Sequence, residues 1–145
     1  MPRFMKTLNN ISRSQAVFRN GRLQCEDLYP AHHSFILLIC RKPGSSQEEL
    51  SRELCLNKST VTRALVHLEK NGYVRREQSA EDKRQFAVYP TQKMLDVLPR
   101  VREITRVWNE EISEGISEEE LNVFLSVLAR METRAREMIA NQEER

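Results

Sequence analysis

The sequence predicts a mostly α-helical fold with a small β-hairpin. Along six segments, apolar residues recur three or four positions apart, which is the period of an α-helix. Only two short segments, 73–77 and 85–89, have the composition of β-strands. The dipeptides Asn20-Gly21, Pro43-Gly44 and Asn71-Gly72 are turn signals and separate these elements.

The composition indicates a globular protein whose charge is unevenly distributed. The 145 residues fit one domain, or one compact domain with extra elements, and the net charge is only +2. Residues 57–93 contain eight Lys or Arg against four acidic residues, whereas residues 109–145 contain ten Glu against four Arg. We therefore expect that only the basic middle of the chain contacts a polyanion.

The cysteines and apolar runs indicate a cytoplasmic protein without a membrane segment. Cys25, Cys40 and Cys55 are odd in number and widely spaced, which is not a disulfide framework and fits a reducing compartment. The N-terminus lacks a signal-peptide pattern. The longest apolar run, 35–40, is far shorter than the roughly 20 residues that a membrane span needs.

Two helices are predicted before the basic region. Residues 3–19 form the first, with Phe4, Leu8, Ile11 and Phe18 at helical spacing. The second starts near Pro30, because proline favours the first position of a helix, and Pro43-Gly44 ends it. Its apolar run indicates a buried helix.

Residues 46–72 have the pattern of two short helices joined by a tight turn. Ser46 and Glu49 form a capping box for the first helix, and Asn57 is an N-cap for the second. The second helix has one apolar face, formed by Val61, Ala64, Leu65 and Leu68. This arrangement predicts a helix-turn-helix.

The two predicted strands follow directly and enclose a charged tip, residues 78–84. They form a β-hairpin. A helix-turn-helix followed by such a hairpin is the winged-helix arrangement, in which the hairpin is the wing.

Two long helices complete the chain. Thr91 caps a helix that runs to about residue 111, has an apolar stripe from Met94 to Trp108, and is expected to kink at Pro99. Ser117 and Glu120 form a second capping box. The last helix carries apolar residues in alternating steps of three and four, a coiled-coil-like seam.

The second helix of the helix-turn-helix is the candidate DNA-binding element. A helix fits the major groove, and its first turns approach the base edges. Arg63 can form a bidentate hydrogen bond with guanine, and the Thr62 methyl group can contact a thymine methyl group. Hydroxyl groups can bond phosphates or bases. The residues predicted to face outward are Lys58, Ser59, Thr62, Arg63 and Val66. The candidate DNA contacts of this helix are Lys58, Ser59, Thr60, Thr62 and Arg63. The alternative is an ordinary amphipathic surface helix with N-terminal hydroxyl caps.

The wing tip supplies a second candidate contact. Lys83 or Arg84 can enter the adjacent minor groove, whose negative potential attracts cations. Asp82 is expected to be structural, since it can pair with Arg84 or cap the turn. The alternative is a solvated charged turn.

The residues of this region resemble the multiple antibiotic resistance regulator (MarR) family. The resemblance is carried by residues 47–54, 57–65 and 68–74 and by the wing motif Asp82-Lys83-Arg84. The chain departs from the family at Cys55, where a glycine is frequent, and at the start of the helix after the wing.

The resemblance implies a homodimer that binds a pseudo-palindromic operator and represses nearby genes. It also implies release from DNA by a small, often phenolic, effector or by an oxidant. The DNA-binding lobe is then residues 28–91, with the helix-turn-helix at 46–72 and the wing at 73–89, and residues 1–27 and 92–145 form the dimerisation lobe. The dimerisation residues are Phe4, Leu8, Ile11, Leu121, Phe124, Leu128 and Met131, unless these side chains belong to an intramolecular core.

Three alternatives remain. Cys25 with His32 or His33 suggests a metal-responsive sensor, and Cys55 near positive residues suggests a redox-responsive one. A winged helix can also serve as a protein-interaction module that never contacts DNA. We found no catalytic motif in the sequence, so we expect neither an enzyme nor a cofactor.

Overall fold

A computed structural model describes residues 3–143, and it confirms a mostly helical chain with a small sheet. The elements are α1 (Phe4–Arg19), α2 (His32–Arg41), β1 (Ser45–Ser46), α3 (Gln47–Leu54), α4 (Lys58–Lys70), β2 (Val74–Gln78), β3 (Phe86–Pro90), α5 (Gln92–Ile112) and α6 (Glu118–Glu143).

The chain forms two compact units, one up to Trp108 and the other from Asn109 onward. The apolar core lies in the first unit, where α2, α3, α4, the sheet and α5 each contribute buried side chains. Its most deeply buried members are Phe35, Ile36, Ile39, Leu50, Val61, Leu65, Leu68, Tyr73, Val88, Met94 and Val101. This core orients the helix-turn-helix, because α3 and α4 are amphipathic and each buries its apolar side in it.

Side-chain caps begin the helices at the residues that the sequence predicts. The Ser46 hydroxyl accepts from the Glu49 backbone N–H at 3.1 Å, and the Glu49 carboxylate accepts from the Ser46 N–H at 3.2 Å. Asn57 caps α4 by accepting from the Thr60 N–H at 2.8 Å. A similar reciprocal pair, Ser117 with Glu120, begins α6. These bonds satisfy backbone donors that the first turn of a helix leaves free.

The sheet contains one strand more than the predicted hairpin. Its order is β1-β3-β2 and all pairs are antiparallel, with Ser46 opposite Ala87 and Arg76 opposite Val88. Only Val88 is buried at the centre of β3, whereas Phe86 is exposed near the tip of the wing. Because β1 immediately precedes α3, the root of the wing and the start of the helix-turn-helix share one hydrogen-bonded ladder.

The predicted start of α2 is displaced by two residues. The helix begins at His32, and Pro30 lies in a preceding turn where its carbonyl accepts from the His33 N–H at 3.3 Å. The helix α5 continues through Pro99. The expected kink at this residue stays a prediction.

The helices α1 and α6 differ from those of the core. No residue of α1 is buried, and α6 carries large exposed apolar side chains such as Val123, Leu125 and Met138. None of the helices between residues 3 and 143 combines the length and the apolar character needed to cross a membrane.

Cys55 ends α3 in a left-handed backbone conformation, with φ 52° and ψ 43°. This conformation costs a residue with a Cβ about 1–2 kcal/mol, whereas glycine adopts it without strain. We therefore expect Cys55→Gly to raise the free energy of unfolding by about 0.5–1 kcal/mol and the Tm by roughly 1–4 °C. Thermal unfolding followed by circular dichroism measures the change.

Cys55→Ala is the matched control, since it removes the same thiol but keeps the Cβ. The backbone explanation is wrong if the glycine and alanine variants unfold at the same temperature.

Candidate nucleic-acid interface

The helix α4 presents a polar face to solvent because its other face is completely buried. Val61, Leu65 and Leu68 are 0% exposed. Ser59, Thr62 and Arg63 are exposed on the other side, Lys58 is exposed at the start of the helix, and Thr60 is half-buried. Val66 continues this face one turn later and is 52% exposed. The structure therefore brings the five predicted α4 residues to the first two turns of one helix. Their role in DNA binding stays a prediction.

Some basic residues of this unit are in ion pairs, whereas the candidate DNA contacts of α4 and the wing are not paired among the residues that the structure describes. Lys42, Arg76 and Lys93 are in ion pairs with Glu53, Glu69 and Asp27, respectively. Within residues 3–143, no ion pair involves the DNA-facing candidates Lys58, Arg63, Lys83 and Arg84. Unpaired cations on one side of a protein are available to phosphate groups.

The Thr62 side chain is engaged within the protein. Its hydroxyl donates to the Lys58 carbonyl at 2.8 Å, and the same oxygen accepts from the Gln47 amide nitrogen at 2.5 Å. A hydroxyl has a single hydrogen, so this one cannot also donate to DNA. In this structure the Thr62 hydroxyl is thus engaged within the protein, whereas its methyl group stays available. The role of Thr62 in DNA binding stays a prediction.

The wing tip is held by short-range hydrogen bonds. The Asp82 carboxylate accepts from the Arg84 backbone N–H at 3.0 Å, and the Asp82 carbonyl accepts from the Gln85 N–H at 3.0 Å. The Gln78 amide donates to the Lys83 carbonyl at 2.7 Å. Of the two structural roles expected for Asp82, the structure shows capping of the turn. The Lys83 and Arg84 side chains remain exposed.

The C-terminal end of α4 is fastened to the loop between α1 and α2. His67 contacts the Asp27 carbonyl through Nε2 at 2.6 Å, and its ring stacks on His32 at 4.7 Å between ring centres. The Asp27 carboxylate accepts from the Tyr73 hydroxyl at 2.7 Å and from Lys93 at 3.2 Å. We call these five residues the Asp27 cluster. The cluster joins α2, the end of α4, the root of β2 and the start of α5.

Burial and hydrogen bonding set the charge states of this cluster. Burial would raise the pKa of Asp27, but hydrogen bonds from Tyr73 and Lys93 outweigh it and lower that pKa, so the carboxylate is charged. Burial, and secondarily the proximity of His67, lowers the pKa of His32 to about 4. His32 is therefore neutral at neutral pH, which permits its Nδ1 to accept from the Tyr29 N–H at 3.1 Å.

A cavity of about 350 Å³ lies beside the same loop. His33 lines it, is 1% exposed, and has an Nδ1 without a hydrogen-bond partner among residues 3–143. The Nε of Arg19, which also lines the cavity, is buried and likewise lacks a partner there. Burial, and secondarily the Arg19 charge, lowers the pKa of His33 to about 4. Buried polar groups normally find a partner, so this cavity is suited to a ligand with hydrogen-bonding groups.

The predicted dimerisation residues are exposed or half-buried. Phe4, Ile11 and Phe124 are 43%, 43% and 49% exposed, respectively. The other four, which are half-buried, are Leu8, Leu121, Leu128 and Met131.

The residues on which the metal and redox alternatives depend do not form one cluster. His32 stacks on His67, whereas His33 and Cys25 line the cavity. The part of the chain that the structure describes contains no group of three or more His, Cys, Asp or Glu residues that could hold a metal ion. Burial raises the pKa of the Cys40 thiol, which disfavours the reactive thiolate. The redox response of Cys55 stays a prediction.

Sequence reasoning missed Gln47 and the Asp27 cluster. Gln47 is the first residue of α3, and only its position after the Ser46 cap marks it in the sequence. His67 and Asp27 are 40 residues apart, and Lys93 and Asp27 are 66 apart, so no local pattern connects them.

Comparisons with known proteins agree with this geometry. The model of the MarR family matches residues 28–86. The transcriptional regulator HosA of Escherichia coli O127:H6 is 31% identical over 105 residues, which cover 72% of this chain and 78% of HosA.

Solved structures of other proteins are similar to this fold. A MarR protein from Peptoclostridium difficile has a TM-score of 0.90 at 27% identity, with 94% of this chain and 90% of that chain covered. FabT of Streptococcus pneumoniae, solved in complex with DNA, has a TM-score of 0.75 at 25% identity, with 94% and 97% covered. These similarities confirm the predicted winged-helix fold.

Proposed function

The chain belongs to the MarR family of DNA-binding transcriptional regulators, and we propose that it represses transcription as a homodimer bound to a pseudo-palindromic operator. The observation that carries the proposal is the exposed face of α4, where Arg63 has no acidic partner in the described part of the chain. In this proposal Lys58, Ser59 and Thr60 anchor phosphates at the start of the helix. Arg63 contacts a guanine in the major groove, and the Thr62 methyl contacts a thymine.

The wing completes the contact with DNA. Lys83 and Arg84 extend from a tip whose backbone is fixed by Asp82. An arginine held in this way suits a narrow minor groove, where the negative potential is strongest. We assign residues 28–91 to the DNA-binding lobe, and residues 1–27 and 92–145 to dimerisation.

Selection of binding sites from random double-stranded DNA tests the function directly. We expect an inverted repeat whose half-sites lie about one helical turn apart. Arg63→Ala should cost about 1–3 kcal/mol and relax the preference for guanine at one position of each half-site. Fluorescence anisotropy at several salt concentrations measures the affinity.

Arg106→Ala is the matched control, because it removes the same charge from α5, where Arg106 pairs with Glu103. An Arg63→Ala variant that binds the selected site as tightly as the parent would contradict the assignment of α4.

The dimer is supported by the apolar side chains that α1 and α6 leave uncovered. Each helix lacks buried apolar side chains of its own, although Phe4, Ile11 and Phe124 are large and apolar. Large apolar side chains that are exposed on a helix favour association. A second copy of the chain is the proposed occupant, since a two-fold repeat in the operator requires two identical DNA-binding lobes.

Phe124→Arg should therefore dissociate the dimer, because it places a charge in the apolar interface of both protomers. Sedimentation equilibrium should give a monomer at concentrations where the parent is a dimer, and operator affinity should fall at least tenfold. Ser126→Arg adds the same charge about 200° around the same helix and should leave both properties unchanged. A Phe124→Arg variant that dimerises like the parent would contradict the interface.

We also propose that a small phenolic effector occupies the cavity beside Arg19 and His33. Its volume of about 350 Å³ suits a ligand with one aromatic ring. The two unpartnered nitrogens are available to a phenolic or carboxylate oxygen. The cavity adjoins the loop that carries Asp27, so a ligand there can act on the end of α4.

Hydroxybenzoate is a suitable probe of this cavity. We expect it to raise the Tm of the parent and to release the protein from the selected operator. Arg19→Met, which keeps an unbranched apolar stem but removes the guanidinium donors, should weaken both effects and preserve DNA binding. Cyclohexanol, which lacks an aromatic ring and a carboxylate, is the ligand control. Equal responses of the parent and Arg19→Met would rule out this site.

A further inference from the structure

Gln47 lies outside the recognition helix, yet its side chain contacts the DNA-facing side of that helix. It is the first residue of α3, and its amide nitrogen lies 2.5 Å from the Thr62 hydroxyl oxygen on α4. Thr62 is one of the exposed residues in the first turns of α4. The Gln47 amide therefore ends beside the side chains that face the major groove in the proposed function.

The hydrogen bonds of Thr62 determine which way this amide points. The Thr62 hydroxyl lies 2.8 Å from the Lys58 carbonyl, which can only accept. The single hydroxyl hydrogen is donated there, so the oxygen accepts from Gln47. The amide nitrogen of Gln47 thus faces Thr62, and its carbonyl oxygen and one N–H remain without a partner in the described residues.

The carbonyl oxygen and the remaining N–H of Gln47 together complement the major-groove edge of one base only. In the major groove adenine offers a donor, N6–H, next to an acceptor, N7. Guanine offers two acceptors, thymine an acceptor and a methyl group, and cytosine a donor. A glutamine amide that accepts from N6 and donates to N7 therefore selects adenine.

The position of Gln47 is fixed before DNA binds. The preceding residue, Ser46, is held by the capping box with Glu49 and is paired with Ala87 of β3. Leu50, one turn later, is 0% exposed and anchors α3 in the core. A free glutamine side chain loses conformational entropy when it is immobilised. The bond to Thr62 has already restricted this side chain, which lowers the entropy lost on binding.

We propose that Gln47 is a base-specificity residue, whose amide, held by Thr62, contacts an adenine in each operator half-site. Sequence recognition is then shared by two helices, with Arg63 on α4 and Gln47 on α3 facing neighbouring base pairs. The inference rests on the proposed binding of α4 in the major groove. It differs from that proposal in assigning an adenine position to a residue of the first helix.

The test is selection of binding sites by the full-length parent and by four variants. Gln47→Ala should lose the preference for adenine at one position of each half-site, keep the guanine position that depends on Arg63, and bind the parental operator roughly 5- to 100-fold more weakly. Gln47→Glu offers only acceptors, so it should shift that same position from adenine towards cytosine, whose N4 is a donor.

The Thr62 variants test the positioning of the amide. Thr62→Val keeps the shape and the methyl group but removes the hydroxyl, so the adenine preference should weaken although Gln47 is still present. Thr62→Ser keeps the hydroxyl and should keep the preference. Thermal unfolding of each variant verifies that it is folded.

The outcomes separate this inference from the proposed function. If the parent selects no repeat, both fail. If the parent selects a repeat and Gln47→Ala selects the same bases at every position, only the role of Gln47 is overturned. Weaker binding that is equal for all sequences, with a shallower salt dependence, would identify a phosphate contact and would likewise overturn it.

Discussion

The rotation of α4 about its own axis is the constraint on which the DNA-binding surface depends. Three of its side chains, Val61, Leu65 and Leu68, are fully buried. Each buried side chain of this size contributes about 1.5–3 kcal/mol, and a rotation by one residue, 100°, would displace all three from the core. The outward direction of Thr62 and Arg63 is thus a consequence of apolar burial, which is much stronger than any surface charge interaction.

The Asp27 cluster fixes the other end of the same helix. Its contacts are polar and only partly shielded from water, so each contributes less than the buried leucines. These contacts are important because they connect α2, the end of α4, the root of β2 and the start of α5. The carboxylate of Asp27 is shared by Tyr73 and Lys93, while its carbonyl holds His67. The loop between α1 and α2 is therefore linked directly to α4 by a hydrogen bond and a ring contact, in addition to its contacts with the apolar core.

Much of this architecture could be predicted because it depends on local sequence patterns. Asn57 and the Ser46–Glu49 pair are caps at a fixed spacing, and the apolar period of α4 identifies its buried face. The strand β1 could not be predicted, since two serines have no alternation and pair only because β3 lies beside them. The hydrogen bond between Gln47 and Thr62 could not be predicted either, because the two residues are 15 positions apart and no local pattern connects them.

The hydrogen bonds of the wing tip also have a consequence for kinetics. The turn is closed by bonds from Arg84 and Gln85 to Asp82 and from Gln78 to Lys83, so its backbone is formed before DNA arrives. A loop that had to fold on the duplex would slow association by adding a conformational step. With the turn already closed, only the side chains of Lys83 and Arg84 would have to become ordered in the proposed minor-groove contact. Long-range attraction between the basic middle of the chain and the phosphates can then govern the encounter rate, which should fall steeply with ionic strength.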